Sequence, residues 1–197
     1  MARSTTTDPI RNFKFQVTIN ATGGLATYTT GLGSIGFAAM SGLSVNNEMV
    51  GYREGGMNTH PHKFIGQSDF APVTFSRGVF SKQDQLYKWQ QFLHSWNQAS
   101  GGSTSGANDY RCDILVKVFD HPVSSGSYST PGDVNGNSGS VGDARFGFKL
   151  FNCFPGTYSL NDLNAGDSGI MVQQMTLNHE GFVIAWNKED VAALSTI

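Results

Sequence analysis

The sequence predicts a mainly β protein of the α+β class, an antiparallel β-sandwich or open barrel with one amphipathic helix packed on it. Several segments alternate apolar with polar residues, which is the period of a strand that buries one face. A single segment has apolar residues at helical spacing instead. The third observation is the low share of charged residues, 14% of 197, beside 24 glycines. Such a composition is typical of uncharged polar solvent faces, or of surfaces that copies of the same chain cover.

The length and the net charge of the chain limit its domain count and its classes of partner. Its length predicts one domain over residues 1–197. The formal net charge of −2 indicates neither a nucleic-acid footprint nor an acidic tail. No window approaches the roughly 18 apolar residues of a transmembrane helix, and the N-terminus lacks the apolar core of a signal peptide. Membrane insertion and Sec-dependent export are therefore not expected.

The first strand is predicted over residues 13–19. Four apolar residues share one face there and polar residues share the other; the apolar ones are Phe13, Phe15, Val17 and Ile19. Residues 21–34 are rich in Gly and Thr, which is typical of a hairpin connection or a surface loop. Extended structure resumes over residues 36–45 with three inward positions. These are Phe37, Leu43 and Val45.

Residues 46–66 are predicted to form an extended arm between two strands. Its centre at residues 51–56 is polar and turn-rich, and a short hydrophobic pair, Phe64 and Ile65, follows. The arm is expected to have little hydrophobic surface of its own. Such an arm is either a disordered loop or a limb that becomes ordered against a neighbour. We favour the limb, with residues 51–63 mobile in a free monomer.

One amphipathic helix is predicted over residues 82–98. Ser81 is its expected N-cap, and Asp84 lies in the first turn, where acidic residues are favourable. Apolar residues recur along this segment at helical spacing. They are Leu86, Trp89, Phe92, Leu93 and Trp96. This stripe is expected to pack on a sheet rather than to hold a cofactor.

Further strands are predicted on either side of the helix. One ends near Gly78, and another spans residues 111–119 with both faces partly covered. A strand beginning near Phe146 is expected to stop at Pro155-Gly156, and a last strand region over residues 170–184 is expected to break near Glu180. Surface insertions are predicted near residues 21–34, 99–109 and 121–144, with a C-terminal extension over residues 185–197.

The residues that could support chemistry are few. His60 and His62 flank a proline and point the same way, but no third ligand completes a metal site. Cys112 and Cys153 lie in predicted strands and are expected to be small buried hydrophobes. Glu180 beside His179 is a common and weakly informative pair. Nucleophile-elbow, Walker A and dinucleotide motifs are absent from the sequence, so an enzyme is disfavoured and no cofactor is expected.

Seven segments together resemble the tail tube protein family of contractile-tailed bacteriophages and related contractile injection systems. In order, they are Asp8-Pro9-Ile10-Arg11-Asn12-Phe13-Lys14-Phe15, Ser41-Gly42-Leu43-Ser44-Val45, Gly51-Tyr52-Arg53-Glu54-Gly55-Gly56 with Lys63, Arg77-Gly78-Val79, the helix with Leu86, Trp89 and Phe92, Phe154-Pro155 with Asp162-Leu163-Asn164-Ala165, and Leu177-Asn178-His179-Glu180-Gly181. They span residues 8–182, nearly the whole chain. Each segment is a weak signal by itself, but seven in this order are specific.

The resemblance implies a virion structural subunit that forms hexameric rings, each a large β-barrel around a lumen. Stacked rings would form a tube that passes viral DNA or an effector. The implied partners are the tail sheath, the baseplate, the tail terminator and the DNA in the lumen, with assembly in the host cytoplasm. The matching arm residues would reach onto adjacent subunits; they are Tyr52, Arg53, Glu54, Gly55, Gly56 and Lys63. Uncharged polar residues would suit the lumen wall, for example Gln16, Thr18, Gln174 and Thr176.

Three alternatives remain at this point. The chain could be the inner-tube subunit of an injection system rather than of a phage. It could be a monomeric β-sandwich that binds carbohydrate on the loop aromatics Tyr28, Tyr128 and Tyr158. A metal-dependent enzyme using His60 and His62 is the most remote hypothesis.

Overall fold

The computed structural model describes residues 10, 12–29, 31–56, 59–97, 110–119, 144–166 and 168–195. These residues form nine strands, three α-helices and a short 3-10 helix over Leu32–Ser34. The strands are β1 (Phe15–Asn20), β2 (Ala39–Ser41), β3 (Val45–Tyr52), β4 (His62–Phe70), β5 (Val73–Gly78), β6 (Cys112–Phe119), β7 (Ala144–Leu160), β8 (Val172–Asn178) and β9 (Gly181–Ala185). The α-helices are α1 (Gly23–Tyr28), α2 (Gln85–Asn97) and α3 (Lys188–Ala193). The prediction of a mainly β fold with antiparallel pairing is confirmed.

Seven strands form one antiparallel sheet system in the order β1-β6-β7-β8-β5-β2, with β9 also paired to β7. The long strand β7 joins its two parts, because its first half pairs with β6 and β9 and its second half pairs with β8. The path ends at β1 on one side and at β2 on the other, so the described strands do not close into a barrel. The strands of one subunit thus form an open sheet, and the ring β-barrel that the resemblance implies for several subunits stays a prediction.

The core lies between the sheet and helix α2. Val17 and Ile19 of β1 are buried as predicted, whereas Phe13 precedes the strand and is exposed. Helix α2 buries Leu86 and Trp89 in this core, and the indole Nε1 of Trp89 donates to the carbonyl oxygen of Tyr110 at 3.3 Å. The aromatic stripe thus packs on the sheet as predicted; the Trp96 side chain lies outside the described residues.

Helix α2 begins three residues later than predicted. Its first hydrogen bond runs from the Lys88 N–H to the carbonyl oxygen of Asp84 at 2.8 Å. Ser81 is therefore too far from the first turn to cap it. Lys82 has a φ of 65°, a left-handed conformation that cannot continue into a helix.

Residues 21–34 are more ordered than the predicted loop. They form α1 and the 3-10 helix, and they bury Leu25 and Leu32 in the main core. Glycine and threonine between the two leucines masked the apolar pattern in the sequence. The segment is therefore part of the core rather than a surface insertion.

Strand β7 continues through Pro155-Gly156 instead of stopping there. Pro155 lies opposite Leu177, and the register then shifts before Thr157, which marks a β-bulge. A bulge tolerates proline because one residue there leaves the hydrogen-bond ladder. A side chain at Gly156 would place its Cβ 2.9 Å from Nδ2 of Asn178, so glycine suits the tight side of the bulge.

The C-terminal residues cover the second face of β6. Leu115 packs there with Val191 and Leu194 of the α3 region and with Ala185. This confirms that both faces of β6 are covered, and it shows that part of the predicted C-terminal extension belongs to a small second core. The predicted break near Glu180 is also confirmed, because β8 and β9 are separate strands.

The two cysteines lie opposite each other on β6 and β7 and are buried, free thiols, in agreement with the prediction. Burial raises the pKa of the Cys153 thiol to about 12 and the pKa of Cys112 still further. Residues 99–109 and most of residues 121–144 lie outside the described residues, so the predicted insertions there stay predictions. Within the described ranges, no helix combines the length and apolarity needed to cross a membrane.

Candidate functional site

The candidate site is a hairpin made by β3 and β4. The two strands pair antiparallel with each other, from Val45 opposite Phe70 at the base to Tyr52 opposite His62 near the tip. In the described part of the chain they form a two-stranded sheet of their own. All eight residues of β3 are exposed. The predicted extended arm is thus a β-hairpin that stands away from the core.

An apolar band encircles the middle of the hairpin. Met49 lies opposite Ile65, and Val50 lies opposite Phe64. Because consecutive strand residues point to opposite faces, each face of the hairpin has one of these pairs. The exposed fractions are 58% for Met49, 50% for Val50, 57% for Phe64 and 86% for Ile65. The prediction of little hydrophobic surface is therefore wrong.

The band could have been found in the sequence. Two consecutive apolar residues in each of two short segments, Met49-Val50 and Phe64-Ile65, place apolar groups on both faces if the segments are strands. Burying one such side chain contributes about 1.5–3 kcal/mol. Four of them held in water indicate a surface that another molecule covers.

The six predicted arm residues lie at the outer end of this hairpin. Tyr52 ends β3, Lys63 lies opposite Gly51 on β4, and the remaining four form the tip between the strands. Those four are Arg53, Glu54, Gly55 and Gly56, all exposed. Gly56 has a φ of 98°, which a residue with a side chain rarely adopts. The structure brings these residues together at one tip, while their contact with a neighbour stays a prediction.

The root of the hairpin is anchored to the main sheet. The Ala71 N–H donates to the carbonyl oxygen of Ser44 at 3.1 Å, which closes the base. Gly42 has a φ of 98°, and a Cβ there would lie 2.5 Å from the carbonyl oxygen of Pro72. No other residue fits this close crossing without moving the backbone. Val45 was expected to point inward, but it lies beyond this crossing and is exposed.

His179, which directly follows strand β8, contacts the same root. Its Nε2 lies 3.1 Å from the carbonyl oxygen of Ala71, and its ring centroid is 5.7 Å from that of Phe70. Phe182 completes the cluster, 5.9 Å from Phe70. Phe70 is therefore held by two rings of the main sheet. These contacts fix the direction in which the hairpin leaves the subunit.

Glu180 has a structural environment rather than a catalytic one. Its carboxylate accepts hydrogen bonds from Asn152 Nδ2 at 2.6 Å and from Arg111. These two donors, Asn152 first, lower the pKa of Glu180 from its ordinary value. The carboxylate therefore stays ionised and ties the turn between β8 and β9 to β6 and β7.

The residues considered for other chemistry are not gathered into a site. His60 and His62 are exposed with ring centroids 6.2 Å apart, and the described residues contain no group of three metal-ligand side chains. Tyr158 is partly buried and its hydroxyl donates to Gln173 Oε1 at 3.0 Å. Tyr128 and the side chain of Tyr28 lie outside the described residues. The described residues therefore do not bring these tyrosines together as a platform for a carbohydrate.

A second surface is notable for its lack of charge. The solvent face of the β2-β5-β8-β7 part of the sheet is formed mainly by uncharged polar residues in register across the strands, with Ala39 of β2 opposite Ser76. One row is Ser41, Thr74, Thr176 and Thr157, and the next includes Ser76, Gln174 and Ser159. Thr74 and Thr176 are joined by a 3.1 Å hydrogen bond. The predicted lumen residues Gln16 and Thr18 lie on β1 instead, so only Gln174 and Thr176 belong to this neutral face.

Comparison with solved structures identifies the same fold in chains of a contractile injection system and of the anti-feeding prophage. The chain is similar to a protein of an extracellular contractile injection system, in the PVC sheath-tube complex in its extended state, with a TM-score of 0.63, 20% identity and coverage of 92% of this chain and 95% of that one. It is also similar to a chain of the anti-feeding prophage cap, the AFP tube terminating cap, with a TM-score of 0.60, 20% identity and coverage of 91% and 93%. A chain of the anti-feeding prophage baseplate matches with a TM-score of 0.61, 16% identity and coverage of 90% and 96%. At these identities the likeness shows the fold alone.

Sequence comparison identifies the family. No curated protein matches the chain in sequence. The family model of the T4-like virus tail tube protein gp19 matches residues 11–183, which include the hairpin, its root, the neutral face and helix α2. The chain therefore belongs to the T4-like virus tail tube protein gp19 family, as the resemblance predicted, and is a structural tail tube protein.

Proposed function

We propose that residues 1–197 form one subunit of a hollow tail tube, built from stacked hexameric rings, that conducts DNA during tail contraction. The observation that supports self-assembly most strongly is the apolar band on both faces of the β3–β4 hairpin. A two-stranded hairpin alone is marginally stable in water. Neighbouring subunits would supply the contacts that this hairpin lacks. The function requires no reaction, so we assign no catalytic residue and no cofactor.

The neutral face is the best candidate for the lumen wall. In a tube that conducts DNA, basic side chains along the wall would hold the phosphates and slow passage. The rows through Thr74 and Ser76 present hydroxyl and amide groups instead. Among the described strands, β1 pairs only with β6 and β2 only with β5, so these two strands are the edges of the described sheet. Pairing with adjacent copies would remove these edges and close the wall into a ring barrel.

The proposed partners are a tail sheath, a tube terminator and a baseplate. The similar solved structures come from a sheath-tube complex, a tube terminating cap and a baseplate. We place the protein in the tail of a virion, assembled in the host cytoplasm. A contractile injection system is the second candidate, because the similar solved structures include an injection system. The tube would then carry an effector instead of DNA.

Purified protein is expected to form hexameric rings and hollow rods at high concentration. Burial of the apolar band at every copy provides the driving force, since each side chain removed from water adds to the association free energy. Negative-stain microscopy and sedimentation would detect the rods. A chain that stays monomeric at high concentration after long incubation would contradict the proposal.

Replacing Arg53 and Glu54 together by alanine is expected to impair stacking without unfolding the subunit. Both residues lie at the exposed tip, in the turn region between β3 and β4, so they contribute little to the subunit core. The effect on the melting temperature should be near zero, whereas the sedimentable fraction should fall. Lys117→Ala on the main sheet is the matched control. Loss of the folded monomer in the double variant would mean that the tip packs internally.

A further inference from the structure

An exposed apolar patch lies at the end of the main sheet that faces away from the hairpin root. It consists of Val79, Phe80, Leu160, Leu163 and Ile170, and we call it the end patch. Leu163 and Ile170 are 83% and 80% exposed. Neither the ordered core nor the hairpin of the same subunit covers these side chains.

Backbone contacts hold the end patch together. The Val79 N–H donates to the carbonyl oxygen of Met171 at 2.9 Å, and the Asn161 N–H donates to that of Val172 at 3.1 Å. These bonds place the end of β5 and the end of β7 on either side of the start of β8. The guanidinium of the buried Arg77 supports the patch from below, 5.5 Å from the centre of the Phe80 ring. Both ends of the segment that contains Leu163 and Ile170 are thus tied to the sheet.

The hairpin and the end patch lie at opposite ends of the same strands. The hairpin root adjoins the start of β5, where Val73 pairs with Leu177, and the end patch adjoins its other end, where Gly78 pairs with Val172. At about 3.3 Å per residue, the length of β5 separates them. In this structure one subunit does not cover its own end patch with its own hairpin, since Leu163 and Ile170 of the patch and Ile65 of the hairpin are all exposed. Two different surfaces at opposite ends are the requirement for head-to-tail association of identical copies.

We infer that the end patch receives the hairpin of an adjacent copy of this chain, with the apolar band lying on Leu163 and Ile170. This inference rests on the proposed function and names the receiving surface within it. It gives both apolar surfaces a partner of matching chemistry, and each copy would bury one hairpin and one end patch.

Charge also favours this pairing. Lys63 lies beside Ile65 on the hairpin, and Asp162 lies beside Leu163 in the end patch. Among the described residues, neither side chain has a salt-bridge partner. Docking of the band on the patch would bring this cation and this carboxylate together. Their main role would be to fix the register of docking.

A charge exchange tests the inference in the full chain. Lys63→Glu should raise the concentration needed for rod formation about tenfold, because like charges would then face each other. Adding Asp162→Lys should return it to within about twofold of the original, since the pair is restored with reversed sign. The matched control combines Lys63→Glu with Asp190→Lys, an exposed aspartate on α3, which should give no rescue. Equal rescue by both second changes would overturn the inference.

Disulfide trapping supplies an independent readout. Copies with Ile65→Cys are mixed with copies with Leu163→Cys, assembled and oxidised; the native Cys112 and Cys153 are buried and do not compete. Covalent dimers are expected in this mixture. They are not expected when the second copy has Met40→Cys, which lines the apolar groove between β1 and β2. Dimers with Met40→Cys alone would overturn the inference in favour of that groove.

The two experiments separate the inference from the proposed function. Rods that form without charge rescue and without Ile65–Leu163 dimers would overturn the inference and leave the tube proposal intact. Failure of the unmodified chain to form rods under any condition would overturn both.

Discussion

Replacing both Phe64 and Ile65 by aspartate is expected to abolish rod formation while the subunit stays folded. The two side chains point to opposite faces of the hairpin and are among the most exposed apolar groups of the described chain. Carboxylates in their places would have to be buried against a neighbour at every subunit contact, and an unpaired buried charge costs several kcal/mol. Because a tube repeats each contact, this cost applies to every copy.

Sedimentation and negative-stain microscopy would measure the loss of rods, and circular dichroism would report the fold. The control is the double variant Ser44→Asp with Asn47→Asp, which adds the same charge at exposed polar positions at the base of the same hairpin, opposite Ala71 and Ser68 rather than opposite a carboxylate. The control should retain rods and both variants should melt at the temperature of the unmodified monomer. Normal rods from the Phe64 and Ile65 variant would show that the apolar band is not an assembly surface.

Elements that bury one continuous face could be predicted from the sequence. The alternation in β1 and the helical stripe of α2 reflect a direct match between residue spacing and local geometry. Trp89 and Val17 were thus predicted in the core from spacing alone, and both are buried. In such elements the local pattern and the tertiary packing impose the same requirement.

Elements that depend on distant partners were predicted less well. Residues 21–34 are helical because Leu25 and Leu32 enter a core built by other strands, which no local pattern of Gly and Thr reveals. Strand β7 crosses Pro155 because Gly156 forms a bulge in the pairing of β7 with β8. The helix start was misplaced because Lys82 adopts a left-handed conformation, which the sequence does not specify.

The candidate site, too, could be predicted only in part from the sequence. The tip residues Tyr52 and Lys63 were located through the family resemblance, and the structure brings them to one end of a hairpin. The sequence contains the two apolar pairs of the band, but their exposure could not be predicted, because such pairs look like core residues until the pairing of the strands is known. The exposure of this band has a physical explanation in an assembly, because side chains that are exposed in one subunit would be buried between neighbouring subunits.

Replacing Trp89 by alanine is expected to lower the free energy of unfolding of the subunit by about 3–5 kcal/mol. The Trp89 side chain is 0% exposed and lies in the main core with Phe75 and Ile114. Its removal leaves a cavity between α2 and the sheet, and it deprives the Tyr110 carbonyl of the hydrogen bond from the indole. This loss is a large share of the total, since the free energy of unfolding of a natural domain is only about 5–15 kcal/mol.

Assembly would hide part of this loss, because association stabilises the folded state by mass action. Urea unfolding should therefore be measured in the background of the Phe64 and Ile65 double aspartate variant, where the subunit is expected to be monomeric. Gln91→Ala, on the exposed side of the same helix, is the control and should change the free energy by less than about 0.5 kcal/mol. Similar small effects for both variants would mean that α2 is not packed on the sheet in the free subunit. A large effect for Trp89 alone would establish that the subunit core is stable independently of the contacts that the hairpin makes with its neighbours.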